Sequence, residues 1–166
     1  MNRLFIVEGP DCSGKTTFAK HLATQRNATY IHASGAKSLH TAMQDYHKSL
    51  LSDAKVNLLN RDVVMDRFWP SELVYGQIFR PHMSDRVYDF VEILPLVATL
   101  NPTYIFCDDP EVENRHAQQQ DQDHPYNASQ FAMVVDSYRK LTVEMMDMPA
   151  LPNLWHPRTP PSEMKF

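Results

Sequence analysis

The residues best suited to chemistry form one short loop near the amino terminus. This loop contains Gly9, Pro10, Asp11, Cys12, Ser13, Gly14, Lys15, Thr16 and Thr17. Its spacing fits the pattern G-x-x-x-x-G-K-S/T, in which the glycines let the backbone turn its N–H groups towards phosphate oxygens. The lysine then reaches the β- and γ-phosphates, and the following hydroxyl binds magnesium. We therefore predict that the loop binds ATP, with Lys15 as an exposed catalytic cation and Mg²⁺ at Thr16.

The sequence around the loop predicts the strand and the helix that such a loop requires. Residues 4–7 are a continuous apolar run, which is typical of a strand buried on both faces of a parallel sheet. From Lys15 to about Gln25, apolar residues recur at helical spacing. The amino-terminal end of this helix adds its positive dipole to the loop. This context separates the loop from a chance glycine turn.

Two further polar pairs follow predicted strands. Asp66 and Arg67 end the apolar run 62–65, and Asp108 and Asp109 follow the run 103–106. Ligands of parallel α/β sheets bind at the carboxyl ends of the strands, so the loop and both pairs are expected to converge. Asp66 is a candidate for holding Mg²⁺ or orienting an acceptor hydroxyl, with Asp108 as the alternative metal partner. Arg67 is a candidate phosphate clamp, and the alternative for this pair is a surface ion pair.

Strands and helices alternate along the rest of the chain. The patterns predict strands at residues 29–33 and 153–156, helices at 39–50, 71–79, 84–94, 111–117 and 128–146, and a polar loop or flap at 118–127. Pro95 is expected to kink or end its helix. The alternation predicts an α/β fold with a mainly parallel sheet and helices on both faces. We predict a single domain over residues 1–156 and a loose, proline-rich tail over 157–166.

Composition adds limits on partners and location. The chain has 166 residues and a net charge of -4, which gives no general reason to expect tight nucleic-acid binding. No apolar run is long enough to span a membrane, and no secretory signal pattern precedes the first strand, so we expect a cytoplasmic protein with no membrane partner. Cys12 and Cys107 are expected to remain unpaired.

Two motifs resemble those of thymidylate kinases. They are Glu8-Gly9-Pro10-Asp11-x-x-Gly14-Lys15-Thr16-Thr17 and Asp66-Arg67-Phe68-x-x-Ser71-x-x-Val74-Tyr75. The resemblance covers residues 1 to about 75. It implies a P-loop kinase fold, ATP with magnesium, and a deoxynucleotide-type acceptor. It also raises the possibility of a homodimer, since thymidylate kinases are commonly dimers, although no apolar stripe in the sequence marks an interface.

The resemblance also implies roles for individual residues. By position, Asp11 contacts the acceptor sugar and Arg67 clamps the acceptor phosphate. Phe68 and Tyr75 would form the wall of the nucleoside pocket, with ordinary core packing as the alternative. Arg115, which precedes the polar flap, would offset charge on the transferring phosphoryl group, with Arg139 as a weaker candidate.

The departures from the family concern the acceptor. Gly76 stands where the family has a glutamine that reads the thymine edge, and residues 32–35 replace an Arg-Glu-Pro-Gly-Gly block. The flap is also poor in cations. In its compactness and in the segment Asp66-Arg67-Phe68-Trp69-Pro70-Ser71-Glu72-Leu73-Val74-Tyr75-Gly76, the chain resembles short phage kinases that phosphorylate 5-hydroxymethyluracil in DNA during thymine hypermodification. For such an acceptor the location would be the host cytoplasm, and aromatics such as Phe68, Trp69 or Tyr75 would receive the flipped base.

Three functions follow from these observations. We favour the kinase of 5-hydroxymethyluracil in DNA, because it predicts the losses at the acceptor site. The alternative is a kinase of free deoxynucleoside monophosphates with altered base choice, in which Arg67 still clamps the acceptor phosphate. A non-catalytic nucleotide switch is disfavoured, because the sequence lacks the Asn-Lys-x-Asp segment with which GTPase switches read guanine.

Overall fold

The fold is a parallel sheet of five strands with helices on both faces. A computed structural model describes residues 1–33, 43–79, 90–118, 126–147 and 154–155. The strands are β1 (Leu4–Glu8), β2 (Thr29–His32), β3 (Val63–Asp66), β4 (Thr103–Phe106) and β5 (Leu154–Trp155). The helices are α1 (Lys15–Gln25), α2 (Met43–Leu58), α3 (Trp69–Phe79), α4 (Phe90–Ala98), α5 (Val112–Gln118) and α6 (Ala128–Met146). All strand pairs are parallel, in the order β2-β3-β1-β4-β5, and the predicted fold class is confirmed.

The central strands are apolar up to their last residues, Glu8 and Asp66, because both faces of the sheet are covered. All residues of β1 and β3 are buried. On one face, Phe18 and Leu22 of α1 pack against Phe5 and Val7. Helices α2, α3, α4 and α6 pack against the opposite face, where Leu4 and the other alternate strand residues point. The strand register then fixes which polar residues meet at the carboxyl edge.

That register aligns the predicted sites. Val7 is paired with Asp66, which in turn is paired with His32 on β2, while Glu8 is paired with Phe106 on β4. The chain therefore leaves β1, β3 and β4 at the same edge of the sheet. The phosphate loop, Arg67 and Asp108 follow those three strands directly.

The bounds of two helices that contain a proline differ from the prediction, while a kink at Pro95 stays a prediction. Helix α3 begins at Trp69, two residues earlier than predicted, and includes Pro70 in its first turn, where a helix does not use the missing N–H. Helix α4 does not end at Pro95 but continues to Ala98. The predicted start of that helix at residue 84 lies outside the described residues.

The remaining predicted segments are partly described. Helix α6 begins where predicted, because Asn127 accepts a hydrogen bond from the Gln130 N–H and the Gln130 side chain accepts one from the Asn127 N–H. Most of the predicted flap and the tail at 157–166 lie outside the described residues. Within the described part, no helix has the length and apolar character needed to cross a membrane.

Candidate active site

The phosphate loop has the backbone conformation that its glycines suggested. Gly9 has a φ of 145°, and a side chain there would overlap the carbonyl oxygen of Cys107 at the end of β4. Cys12 and Gly14 are also left-handed, with φ of 62° and 77°. Such turns aim successive N–H groups into one concave surface, which is the geometry that binds phosphate. Helix α1 begins directly after Gly14 and directs its amino-terminal dipole at the same place.

The structure corrects the expected exposure of Lys15. The residue is only 6% exposed. Its Nζ lies 3.3 Å from Asp11 Oδ1 and 3.5 Å from the Pro10 carbonyl oxygen, so the loop folds over the cation instead of presenting it to solvent. Burial, followed by the nearby Arg67 charge, lowers the pKa of Lys15. The lysine is therefore held inside the loop by loop atoms.

Asp66 is an anion with one oxygen that is not used by hydrogen bonds. The residue is fully buried, and its Oδ2 lies 2.8 Å from the Tyr30 hydroxyl and 3.0 Å from His32 Nδ1. Its Oδ1 is buried and has no hydrogen-bond partner among the described residues. Burial raises the pKa of Asp66, but hydrogen bonds, first from the Thr16 hydroxyl and then from Tyr30, lower it overall.

This arrangement fits a hard divalent cation. An anionic oxygen without a hydrogen-bond partner beside a threonine hydroxyl offers the oxygen ligands that Mg²⁺ prefers, and a nucleotide-bound Mg²⁺ needs only one or two of them from the protein. No group of three or more metal-ligating side chains occurs within the described ranges, which agrees with a metal held mainly by phosphates. Tyr30 and His32, which fix the Asp66 carboxylate, were not identified from the sequence. They can be recognised only from the pairing of β2 with β3, which the structure shows and the sequence does not.

Arg67 is fixed in a single orientation by four side chains. Its backbone is left-handed, with a φ of 70°. One terminal nitrogen donates to Ser71 Oγ and to the Tyr138 hydroxyl, each at 3.3 Å. The other donates to Asp11 and to the Tyr75 hydroxyl, and the guanidinium lies 4.9 Å from the centre of the Tyr75 ring. A phosphate that binds Arg67 must therefore compete with the Asp11 carboxylate.

Asp11 connects the phosphate loop with the acceptor side. Its carboxylate accepts hydrogen bonds from Lys15, Arg67, the Tyr75 hydroxyl and the Tyr126 hydroxyl. Burial raises the pKa of Asp11, but the charges of Arg67 and Lys15 outweigh it and lower the pKa. Asp11 is thus an anion that holds both cations of the site. Tyr126, another partner not identified from the sequence, lies near the end of the predicted flap, and its ring stacks on that of His116 with 5.5 Å between the ring centres.

The two aromatics assigned to the nucleoside pocket lie in different surroundings. Tyr75 is partly exposed next to Arg67, and burial raises its pKa to about 12. Phe68 is 1% exposed in the main core, with its ring centre 5.0 Å from that of His47. Trp69 is also buried and donates to the Tyr104 hydroxyl. The geometry favours a ligand contact for Tyr75 and core packing for Phe68.

Arg115 and Arg139, which were predicted to offset charge on the transferring phosphoryl group, are paired with the aspartates after β4. Asp108 accepts two 3.2 Å hydrogen bonds from Arg139, and Asp109 forms an ion pair with Arg115. The Arg115 side chain is 43% exposed at the start of the flap region. Because Asp108 is already paired with a cation, the geometry favours Asp66 as the metal partner. Residues 119–125, which complete the flap, are outside the described ranges.

The region around Gly76 is not empty. A side chain at Gly76 would approach the Glu72 carboxylate to 2.6 Å, so Glu72 fills the space that a larger residue would use. Gln77 lines a groove between α3 and α6 together with Lys140 and Glu144, and it faces away from the phosphate loop, as expected. The space beside Gly76 is therefore occupied by the Glu72 carboxylate.

Glu8 is a further site residue whose role the sequence did not reveal. It is fully buried at the end of β1 and accepts hydrogen bonds from the Phe68 N–H at 2.6 Å and Ser71 Oγ at 2.7 Å. The Tyr138 hydroxyl lies 3.4 Å away. Burial raises the pKa of Glu8 to about 7, although the hydrogen bond from Ser71 opposes this shift. The signals in the sequence were its place at the start of the first motif and a charged residue at the end of an apolar run.

Solved structures with the same fold are kinases and a nucleotide-bound protein. The YorR protein of Bacillus subtilis, in complex with phosphorylated GDP, matches with a TM-score of 0.66 at 19% identity, over 96% of this chain and 86% of that chain. Deoxyadenosine kinase from M. mycoides with bound dATP matches with a TM-score of 0.55 at 8% identity, over 93% of this chain and 90% of that chain. Thymidylate kinase of Candida albicans matches with a TM-score of 0.52 at 14% identity, over 94% of this chain and 83% of that chain.

A scan of protein-family models and a search of curated proteins found no match. At identities of 19% or less, the structural similarity shows the fold and nothing finer. The chain therefore has the P-loop kinase fold that these structures share.

Proposed function

We propose that this chain is an ATP-dependent phosphotransferase that phosphorylates the hydroxymethyl group of 5-hydroxymethyluracil in DNA. The observation that carries the proposal is the convergence of three features at one edge of the sheet: the loop cation Lys15, the Thr16–Asp66 pair, and Arg67. A P-loop kinase needs these groups to hold a triphosphate, a metal and an acceptor. The fold of the chain is also that of the kinases described above.

Each residue has a task in this reaction. The backbone N–H groups of the loop bind the β- and γ-phosphates, and Lys15 offsets their negative charge. Thr16 and Asp66 would hold Mg²⁺, which when bound neutralises phosphate charge. The alternative task for Asp66 is to orient the acceptor oxygen in line with the transferring group. Arg115 reaches the same group from the start of the flap.

The state of Arg67 supports an acceptor that brings a hydroxyl. Both terminal nitrogens of Arg67 are engaged by Asp11, Ser71, Tyr75 and Tyr138. A hydroxyl acceptor leaves these contacts in place, whereas a monophosphate must displace the Asp11 carboxylate. Among the three aromatics proposed to receive a flipped base, Tyr75 has accessible surface beside the site, while Phe68 and Trp69 are 1% exposed.

The alternative is a kinase of free deoxynucleoside monophosphates. It is favoured by the position of Arg67, which lies between the phosphate loop and Tyr75, where a clamp for an acceptor phosphate would act. The net charge of -4 also weighs against a DNA acceptor. The arginines that could follow a DNA backbone are Arg61, Arg67, Arg80 and Arg86, and the last two lie outside the described residues. The cytoplasmic location and the homodimer remain predictions.

The deciding experiment is transfer of radiolabelled γ-phosphate from ATP to two acceptors in parallel. One is a panel of free deoxynucleoside monophosphates that includes 5-hydroxymethyl-dUMP, and the other is DNA that contains 5-hydroxymethyluracil. The proposal expects label in the DNA alone, with unmodified DNA as the control. Label on a free monophosphate alone would replace the proposal with the alternative. Absence of label from both would refute the kinase assignment.

A further inference from the structure

We propose that Glu8 is a positioning residue for Arg67, acting through Ser71 and Tyr138, and that protonation of Glu8 weakens binding of the acceptor. The inference rests on the proposed function, in which Tyr75 receives the flipped base, because Arg67 holds Tyr75 through a hydrogen bond to its hydroxyl and a contact with its ring. Glu8 itself need not touch either substrate, because two hydroxyl groups lie between its carboxylate and the guanidinium.

The contacts form a closed network. Ser71 Oγ lies 2.7 Å from Glu8 Oε2 and 2.8 Å from the Tyr138 hydroxyl, and the Tyr138 hydroxyl lies 3.4 Å from the same carboxylate oxygen. One terminal nitrogen of Arg67 donates to both hydroxyl oxygens at 3.3 Å. Two elements that are remote in sequence, β1 and α6, thus meet α3 at these hydroxyls. Arg67 is held on this side by Ser71 and Tyr138, and Glu8 decides how they are oriented.

The direction of the hydroxyl protons explains the effect. When Glu8 is ionised it only accepts, so Ser71 directs its proton at the carboxylate and presents lone pairs to Arg67. When Glu8 is protonated it becomes a donor, and its proton competes with Arg67 for the same hydroxyl oxygens. Ser71 and Tyr138 must then rotate their own protons elsewhere. Protonation thus removes the charged acceptor of these hydroxyl protons and the attraction between the Glu8 and Arg67 charges, so the network holds Arg67 less firmly.

The charges around Glu8 allow this change near neutral pH. Burial raises the pKa of Glu8 to about 7, whereas Ser71 and the charge of Arg67 oppose the shift. The titratable or charged groups that face it from the surrounding elements are Lys15 on α1, Arg67 after β3, Tyr104 on β4, Cys107 after β4 and Tyr138 on α6. Burial raises the pKa of Tyr138, Tyr104 and Cys107, and the pKa of Arg67 is raised as well, so these four keep their protons at neutral pH.

The first test compares the wild type with Glu8→Gln, in which an amide permanently replaces the protonated acid. With the acceptor identified by the labelling experiment, we expect the wild-type acceptor KM to rise about tenfold between pH 8 and pH 6, the loss of roughly one charged hydrogen bond. The variant should have the raised acceptor KM at both pH values, while its KM for ATP stays unchanged. Equal pH dependence of the acceptor KM in both proteins would overturn the inference.

A second measurement reports on Arg67 directly and needs no acceptor. Nitrogen NMR of the Arg67 guanidinium, assigned by its loss in Arg67→Lys, should show a titration with a midpoint near the Glu8 pKa of about 7 in the wild type and none in Glu8→Gln. An Arg67 signal that does not titrate in the wild type would refute the inference even if the kinase is active. If no acceptor is labelled, the proposed function fails, and this signal still decides the role of Glu8.

Matched variants test the path of the effect. Tyr138→Phe and Ser71→Ala each remove one hydroxyl, and each should raise the acceptor KM. Combined with Glu8→Gln, each should add little further, because residues in one network are not additive. Full additivity would place Glu8 outside the network. Glu144→Gln on the exposed surface of α6 is the control for removing a carboxylate, and it should leave the acceptor KM and the Arg67 signal as in the wild type.

Discussion

Two buried groups give the protein opposite dependences of stability on pH. Glu8 has a folded-state pKa of about 7 against 4.5 for the free side chain, so the folded protein retains a proton that the unfolded chain loses. The contribution of Glu8 to the free energy of unfolding is present below pH 4.5 and is lost as the pH rises to 7. His47, 2% exposed beside Phe68, has its pKa lowered by burial from 6.5 to about 4. Its contribution is present above pH 6.5 and is lost as the pH falls to 4.

The two contributions have similar size. Each shift corresponds to a change of about 3 kcal/mol in the free energy of unfolding, at roughly 1.4 kcal/mol for each pH unit. Between pH 4.5 and 6.5 they have opposite signs and nearly cancel. Asp11 and Asp66 have lowered pKa values, so their contributions are lost only below pH 3.8, outside this window. The wild type should therefore show a nearly constant stability from pH 4.5 to 6.5.

The perturbation is Glu8→Gln, which removes one of the two opposing groups. The stability of the variant should rise with pH across this window because His47 alone remains, and it should gain about 3 kcal/mol on the wild type between pH 4.5 and 7. Urea unfolding followed by tryptophan fluorescence at several pH values measures the difference, in which the contributions common to both proteins cancel. His47→Gln should show the opposite slope, and Glu113→Gln, on the exposed surface of α5, is the control.

A constant difference between Glu8→Gln and the wild type at all pH values would refute the reasoning. It would mean that Glu8 titrates alike in the folded and unfolded states, despite its complete burial. A large slope in the wild type with a flat variant would show that only Glu8 is shifted and that the assignment for His47 is wrong.

Three further predictions concern the loop, the metal and helix α6. Lys15→Ala should lower phosphoryl transfer by at least about 100-fold, and an unchanged melting temperature would show that the fold is intact; a folded variant with normal turnover would contradict the assignment. Asp66→Asn should weaken Mn²⁺ binding in the presence of nucleotide by about tenfold or more, measured by titration calorimetry, and equal affinity would exclude Asp66 as a ligand. Asn127→Ala should reduce the free energy of unfolding by about 1 kcal/mol in urea titrations with kcat unchanged, because it removes the capping box of α6; no loss would contradict that role.

The acceptor side shows where reasoning from the sequence stopped. The sequence placed Tyr75 and Phe68 together in the wall of a nucleoside pocket, with core packing as the alternative. In the structure Tyr75 lies beside Arg67, whereas Phe68, which is adjacent to Arg67 in the chain, packs in the core. Both are aromatic residues next to a motif, and the sequence contains nothing that separates them. The difference arises because α3 begins at Trp69, directly after Phe68. Phe68 is therefore directed at α2, whereas Tyr75, within α3, is directed at the phosphate loop.

By itself, the sequence determined the succession of strands and helices along the chain. It also determined the phosphate loop and the occurrence of Asp66 and Arg67 at the end of another strand. These depend on local patterns: apolar runs, helical spacing, and glycines where the backbone must be left-handed. Tertiary structure alone decided the partners of the charged groups. Arg67 meets Asp11 across 56 residues, and Glu8 meets Tyr138 across 130. Periodicity predicts that a side chain is buried, but the donor it meets there depends on how distant elements pack, and that packing sets whether a buried carboxylate such as Glu8 is charged.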